Sequence, residues 1–452
     1  MIVVLGGGPA GRTAAMHLAR AGKKVVLAEH GGIGGQCLHY GCMVVCALSD
    51  VASTIRSASF FAKAGITGGI PEIKFAELLI QLKEVQGVIA SVLDEETRGA
   101  GVEVRHGCRG VLSGRDVFLN GECIETEAVL IATGSRPMIP EIPGIHIPGV
   151  VSAHTLGSMT RLPQRLAIIG GGVMAAEFAS IFHAFGSEVT IYSRSRFLRQ
   201  IDPLLRTCAL KDLTGVRIKE EIHVTAVLGK TRVEGIEFSG PGGTEVSQVD
   251  TVFVAAGLEP NSDMIEGVAK GPSGEVLVDA RQETSVQGVY AAGDVTGPPC
   301  LTPVARREGY VAAENILGHA VRLDLSCIPQ ALSLSLEHGS AIRTTDGMAS
   351  VTVPGPAGPG TFWQVISGET GVAKVFFSLD DGSIGAVLAS APASGITTAY
   401  LGHMIRRGAK VQEFTDFMEV HPMADGAYGL LKYAAAMVKK HQGDPGDQGP
   451  PA

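Results

Sequence analysis

Two cysteines five positions apart, Cys37 and Cys42, follow a glycine pair in the run Gly34-Gly35-Gln36-Cys37-Leu38-His39-Tyr40-Gly41-Cys42. Thiols so placed can close a small disulfide at the start of a helix. A helix N-terminus stabilises a thiolate and lowers its pKa, as thiol–disulfide exchange requires. Cys46 comes one helical turn after Cys42 and is a third candidate for the redox centre, with a packed thiol as the alternative. Cys108, Cys123, Cys208, Cys300 and Cys327 have no partner at telling spacing and are expected to be buried small hydrophobes. Near the C-terminus His421 stands in Glu419-Val420-His421-Pro422, and a histidine suits the acid–base work of thiol exchange. No metal site is expected.

The elements that must position this dithiol come in two copies. Ile2–Leu5, the turn Gly6-Gly7-Gly8-Pro9-Ala10-Gly11, a helix-like run Arg12–Ala21 and Val25–Ala28 ending on Glu29 form the first. Leu166–Ile169, Gly170-Gly171-Gly172-Val173-Met174-Ala175, a run Ala176–Phe185 and Val189–Tyr192 ending on Ser193 form the second, 164 residues later. Strand, glycine turn, helix and strand in that order are a dinucleotide-binding fingerprint. Gly6 and Gly170 permit the tight turn, Gly8 and Gly172 let the backbone approach a pyrophosphate, and Gly11 or Ala175 lets helix pack on strand. The pyrophosphate then meets unpaired N–H groups at a helix N-terminus. Glu29 suits a ribose 2′-hydroxyl, so the first site takes FAD or NAD. Ser193, followed by Arg194, Arg196 and Arg199, suits a 2′-phosphate, so NADPH is expected over NADH at the second.

A chain of 452 residues, 45% apolar and 18% charged, has material for two to four domains with sizeable cores. Its net charge of −8 argues against nucleic-acid or anionic-membrane partners. Eight cysteines are too few for a secreted disulfide scaffold at this length, and no secretory leader or run of some 20 uncharged apolar residues is seen. A cytoplasmic protein without a membrane span is the expectation.

The dithiol in this setting resembles the class I pyridine nucleotide–disulfide oxidoreductases, which include dihydrolipoamide dehydrogenase, glutathione reductase and mercuric reductase. The resemblance continues in Ala132-Thr133-Gly134-Ser135-Arg136-Pro137, in Ala256-Gly257-Leu258-Glu259-Pro260-Asn261, in Val289-Tyr290-Ala291-Ala292-Gly293-Asp294 and in Leu301-Thr302-Pro303-Val304-Ala305. It implies an α/β fold of two Rossmann-like dinucleotide-binding domains plus a C-terminal α/β dimerisation domain. The implied boundaries are 1–145 and 265–324 for FAD, 146–264 for NAD(P), 325–440 for the interface domain and 441–452 for a disordered tail. Asp294 would accept from the FAD ribityl chain, and the helix starting near Thr302-Pro303 would aim its N-terminus at the flavin pyrimidine edge. Gly35, Gln36 and Ala305 fall in the same flavin set; Val173, Met174, Glu177 and Gly257 fall in the nucleotide set. In the implied mechanism NADPH reduces the flavin, Cys42 is the flavin-proximal thiolate with the charge-transfer contact, and Cys37 exchanges with a small thiol or disulfide. A homodimer would let His421 complete the partner's active site. The leading substrate reading is dihydrolipoamide-like. Glutathione, coenzyme A disulfide or a persulfide are alternatives, and a non-turnover flavoprotein sensor or electron-transfer module is the reading from another class.

The sequence also departs from the family. After Cys42 it reads Met43-Val44-Val45-Cys46, placing a thiol where the family has a lysine beside the flavin. The glutamate that pairs with that lysine is kept as Glu177, which is expected to be protonated or repartnered. The His-Pro motif lacks its usual glutamate, leaving Asp425 or Glu419 to orient His421. Val173 stands where an aromatic gate is usual.

Overall fold

The computed structural model describes residues 1–355, 357–423 and 426–443, so Asp425 and the tail beyond 443 lie outside the described residues. The chain clusters into two compact units: Met1–Phe178, Phe182–Phe197 and Arg217–Asp324 form one, and Ala179–Ile181, Leu198–Val216 and the chain from Leu325 form the other.

In the first unit strand Ile2–Leu5 leads through the glycine turn into α1 (Pro9–Arg20), strand Val25–Glu29, α2 (Gly35–His39), α3 (Cys42–Lys63) and α4 (Phe75–Gly99). Ile2–Leu5 and Val25–Glu29 are buried at every position, as befits parallel strands covered on both faces. Five parallel strands lie in the order Val289–Ala291, Ala128–Ile131, Ile2–Leu5, Val25–Glu29, Glu103–His106. A second parallel sheet runs Arg217–Lys219, Glu188–Tyr192, Arg165–Ile169, Thr251–Val254, Val150–Ser152. In each sheet the strand that ends on the glycine turn is central. α5 (Val173–Ala184) follows the second turn, α6 (Pro203–Asp212) comes next in sequence, and α7 (Thr302–Ile316) follows strand Val289–Ala291.

The two turns are built alike. Gly6 has φ +111° and Gly170 φ +145°, and a Cβ at either would lie 2.2 or 2.1 Å from a carbonyl oxygen, of Ala132 or of Ala255. Side chains are excluded at both positions on conformation and on space. The helices start three residues earlier than the sequence reading placed them, at Pro9 and Val173, because the turn itself supplies the first helical residues. Pro9 fits there, where an N–H has no intrahelical acceptor. α7 crosses α1 closely: a Cβ on Gly309 would lie 2.3 Å from the Ala10 carbonyl oxygen. The run Gly35–Lys63 is long and apolar enough to cross a bilayer by composition, although no uncharged stretch of that length stands out in the sequence. Its buried residues Val44, Val45, Leu48, Ala52 and Ile55 recur at helical spacing, so its apolarity serves one packed face.

The second unit is an antiparallel sheet in the order Gln330–Ser333, Glu337–Ile342, Ile384–Ala391, Val372–Phe377, Ala349–Pro354, with α8 (Ser394–Arg406) and α9 (Ala427–His441). Val375, Phe377, Val387, Ile405, Leu430 and Ala434 share its core. α6 belongs to this unit through a buried polar chain. His338 Nε2 lies 3.1 Å from Asp212 Oδ2, His338 Nδ1 lies 2.9 Å from Ser390 Oγ, and Leu336 N–H donates to Asp212 at 2.9 Å. Burial alone would raise the Asp212 pKa, but the His338 hydrogen bond and charge hold it below the ordinary carboxylate value.

Candidate functional site

The dithiol segment is pinned to the first glycine turn, with Gly34 N–H donating to the Gly7 carbonyl at 2.9 Å. Cys37 sits in α2 and Cys42 is the first residue of α3, where the helix N-terminus favours a thiolate. Cys42 Sγ lies 3.5 Å from Thr302 Oγ1 at the start of α7. A hydrogen bond from Cys37 is the largest influence on Cys42; with Thr302 and the Cys42 amide it outweighs burial and holds the thiol down to about 6. Donating to Cys42, together with burial, pushes the Cys37 thiol up. The reduced pair therefore keeps one proton on Cys37 and the charge on Cys42. Its reaction with iodoacetamide should hold its rate down to about pH 6, then fall about tenfold per pH unit as the pair becomes fully protonated. A decline that already sets in near pH ~8.5, the ordinary thiol value, would show that the two thiols do not share a proton.

The flavin set assembles at the C-terminal ends of the first sheet, where open α/β sheets bind ligands. Gly6, Gly8, Pro9, Ala10 and Gly11 form the turn and first turn of α1; Ala132-Thr133-Gly134 follows one neighbouring strand and Gly293-Asp294 another. Gly293 lies between the first turns of α1 and α7, with a Cβ there 3.1 Å from Ala10 Cβ and 3.6 Å from Ala305 Cβ. Neither helix has a side-chain cap at its N-terminus. Glu29 accepts from Gly7 N–H at 2.5 Å and Gly31 N–H at 2.6 Å, which fixes its carboxylate beside the turn. Ser135 Oγ donates to Asp294 at 2.7 Å. The motifs at 132–137 and 256–261 meet as an antiparallel pair, with Arg136 Nε 2.6 Å from Glu259 and Asn261 bonded to the Thr133 backbone. Glycine cradle, ribose carboxylate and two uncapped helix ends fit FAD, whose bound flavin supplies the two-electron relay between nucleotide and disulfide. Pro303 and Ala305 lie in the α7 turn on that side, and Gly35 and Gln36 open α2.

Glu308 was not anticipated. It is buried on α7, its Oε2 accepts from Gly293 N–H at 2.6 Å, and burial reinforced by Asp294 lifts it to about 7 against the bonds from Gly293 and Thr296. The folded protein therefore keeps this proton up to about pH 7, while the unfolded chain releases it near 4.5, so stability is lost as pH rises between the two. Glu308→Gln removes that loss, worth up to about 3 kcal/mol. Its gain in melting temperature over the parent should grow between pH 5 and pH 8; a constant offset would mean that Glu308 does not titrate in this window. A sequence signal existed: Glu308 interrupts the otherwise apolar buried stripe Val304, Ala305, Gly309, Val311, Ala312. Cys300, expected to be a packed hydrophobe, is a half-buried thiol raised to about 12 by burial, Asp294 and Glu308. Cys108 and Cys327 are buried as expected and Cys208 is half-buried. Cys123 is exposed on Glu122–Ile124, an edge strand of a small four-stranded sheet.

On the nucleotide side Gly170, Gly172, Val173, Met174 and Glu177 lie in the second turn and α5, and Ser193 directly follows strand Glu188–Tyr192. Ser193 is buried against Gly171 and donates to the Ser195 carbonyl at 2.7 Å, whereas Arg194, Arg196 and Arg199 are exposed. Glu177 is half-buried and is not without a partner. Gln36, Tyr40, His154, Met174, Gly257 and Leu258 line one cavity. Tyr40, between the two cysteines, stacks on His154 with ring centroids 4.0 Å apart, and His154 Nε2 lies 3.2 Å from Gln36 Oε1. Burial pushes the His154 pKa down, favouring a neutral ring. The cavity thus joins one residue of the flavin set to two of the nucleotide set.

A family model described as pyridine nucleotide-disulphide oxidoreductase matches residues 1–309. The chain belongs to this family. It is 32% identical over 334 residues to a dihydrolipoyl dehydrogenase of Acholeplasma laidlawii, spanning 71% of this chain and 97% of that one. It is 30% identical over 343 residues to a mercuric reductase of Staphylococcus aureus, spanning 73% of this chain and 62% of that one, so less than two thirds of that relative is matched. The fold is that of the HOCl-induced flavoprotein disulfide reductase RclA from Escherichia coli, with TM-score 0.81, 22% identity and 95% and 99% of the two chains covered.

As a member of the pyridine nucleotide–disulphide oxidoreductase family, the chain is an enzyme of flavin and pyridine-nucleotide chemistry with an α/β fold of parallel sheets. Its departures from the family pattern fall in both units. Cys46 lies on the exposed side of α3, one turn beyond Cys42. His421 is exposed in the second unit and, among the described residues, makes no side-chain hydrogen bond. Glu419, one of its two candidate orienting residues, pairs with Lys432 at 4.0 Å. Tyr40, His154, Glu308 and Cys300 are the site residues that sequence reasoning missed.

Proposed function

We propose that this chain is an FAD-dependent, NADPH-linked reductase of small disulfides that works through Cys37 and Cys42. The observation that carries the reading is the proton-sharing thiol pair at the α3 N-terminus, with Thr302 of α7 bonded to Cys42. Two electrons delivered to the Cys37–Cys42 disulfide break its S–S bond, leaving the charge on Cys42 and, after protonation, a thiol at Cys37. Loss of the Cys37 proton lets its sulfur attack a substrate disulfide, forming a mixed disulfide and releasing one substrate thiolate. Cys42 then attacks Cys37, re-forming the internal disulfide and releasing the second thiolate. His421 of the partner subunit in a homodimer takes the Cys37 proton and returns it to the leaving thiolate. Ser193 with Arg194, Arg196 and Arg199 favours NADPH, since no carboxylate stands at the ribose position to repel a 2′-phosphate.

A second reading, NAD-linked oxidation of a dihydrolipoamide-like dithiol, is favoured by similarity to dihydrolipoyl dehydrogenases along most of their length. The deciding experiment is steady-state NADPH and NADH oxidation by the flavin-loaded protein with lipoamide, oxidised glutathione, coenzyme A disulfide, cystine and a thioredoxin. Turnover of a small disulfide with NADPH supports the proposal. Preference for lipoamide with NADH supports the second reading. A single burst of NADPH oxidation with no turnover of any disulfide would leave a redox sensor or electron-transfer module.

A further inference from the structure

Helix α7 carries two adjacent arginines that the reaction above does not use. Arg306 follows Thr302 by four residues, one helical turn, so both side chains leave the same face of α7. Thr302 Oγ1 lies 3.5 Å from Cys42 Sγ, and its hydroxyl also acts on Cys37. The next residue, Arg307, goes elsewhere: its guanidinium lies 5.1 Å from the centre of the Tyr310 ring. Arg306 is exposed, and among the described residues no carboxylate forms an ion pair with it, whereas Arg12, Arg98, Arg105, Arg136 and Arg217 all have one. The carboxylate nearest to it in sequence, Glu308, is buried and turned to the Gly293 amide. The Arg306 charge nevertheless reaches the dithiol, where it acts on Cys37 in the sense that favours its thiolate.

An exposed cation one turn along α7 from the threonine bonded to Cys42, with no ion-pair partner among the described residues, is placed to meet what approaches Cys37. A disulfide exchanging there builds up negative charge, and any acidic group it carries must come close to thiolate sulfur. A guanidinium offsets that repulsion and offers paired N–H donors to a carboxylate or a phosphate. We propose that Arg306 is a specificity residue of the dithiol site, recognising an anionic group on the substrate and selecting acidic disulfides over neutral and cationic ones. The inference rests on the disulfide-reductase reading for its biological meaning, but the charge preference can be measured without turnover.

The test uses the flavin-loaded protein with its dithiol reduced by excess dithionite. Alkylation at Cys37, located by mass spectrometry, is timed with iodoacetate and with iodoacetamide, which differ by one negative charge. The ratio of the two rates cancels any change in thiolate fraction or in folding. Arg306→Gln should lower the iodoacetate-to-iodoacetamide ratio about fivefold and Arg306→Glu further, as expected for a unit charge several ångströms away near the surface. Arg306→Lys should retain most of the ratio, and raised salt should shrink it in the parent and in Arg306→Lys but not in Arg306→Gln. In turnover, the arginine should favour oxidised glutathione (carboxylates) or coenzyme A disulfide (phosphates) over neutral hydroxyethyl disulfide and cationic cystamine. Which of the two acidic substrates loses more kcat/KM in Arg306→Gln tells carboxylate from phosphate recognition. A ratio that is the same in all four proteins overturns the inference even if disulfides are turned over. A ratio that follows the charge at position 306 without turnover of any disulfide upholds Arg306 as the anion-recognising residue and removes the reductase reading instead.

Discussion

Replacing Cys42 with serine should reduce disulfide turnover at least about a thousandfold while leaving the protein folded. The hydroxyl occupies nearly the same space and can keep the hydrogen bond that Thr302 makes with the native sulfur. It cannot carry a thiolate near neutral pH, and it cannot displace Cys37 from a mixed disulfide. The exchange of sulfur for oxygen changes little volume at the first residue of α3, so the loss of stability should stay within roughly 0.5 kcal/mol. NADPH oxidation with a disulfide acceptor measures the first effect and thermal melting the second. The variant should also trap substrate as a mixed disulfide on Cys37, visible as one added half-substrate mass. Retention of more than a tenth of the parental rate would transfer the role to another thiol, and Cys46, one turn away on α3, would be the first to test.

The second large effect concerns the nucleotide. The two glycine turns offer an internal control, because Glu29 and Ser193 occupy matching positions at the ends of matching strands. In the first unit a Cβ on Gly7 would lie 3.0 Å from Glu29 Oε2; in the second a Cβ on Gly171 would lie 2.0 Å from Ser193 Oγ. Ser193→Glu should therefore place a carboxylate against the Gly171 amide much as Glu29 is held by Gly7. That carboxylate repels a 2′-phosphate and accepts from a 2′-hydroxyl, a difference of about 2–3 kcal/mol, or roughly 30- to 150-fold in relative kcat/KM for NADPH against NADH. Steady-state kinetics with both nucleotides read it directly. An unchanged ratio would show that position 193 and the arginines after it do not read the ribose.

The glycine units were legible because their physics is local. Positive φ, a close carbonyl and a helix starting on the next residues leave glycine as the residue that fits at Gly6 and Gly170. Ala132-Thr133-Gly134 and Gly293-Asp294 could be placed for the same reason, since each closely follows a strand of the first sheet. Partnership over long sequence distances was harder to see. Tyr40 meets His154 and Asp212 meets His338 across more than a hundred residues of chain, and neither pair has a spacing that announces it. Cys123 is exposed because its three-residue strand lies at the edge of a small sheet, with Glu122 exposed on the other face as well, and an edge position is set by pairing that the local sequence does not display. Glu308 is the opposite case: its apolar surroundings on α7 were visible in the sequence, and a carboxylate in that stripe signals a buried acid.

The bond between Asp212 and His338 bears on how this protein can be dissected. The segment Leu198–Val216 belongs to the C-terminal unit although its flanking strands, Glu188–Tyr192 and Arg217–Lys219, belong to the other. A chain cut after residue 324 would retain α6 but lose His338, the Leu336 amide and the sheet behind them. Asp212 would keep its charge without the partners that hold it, and α6 would present Leu205 and Ala209, now buried, to water. Such a fragment would be a wounded protein and not a minimal one. Deleting the C-terminal region to ask what it contributes would therefore confound loss of that unit with the exposure of α6, whereas point changes at His421 or His338 keep the two questions apart.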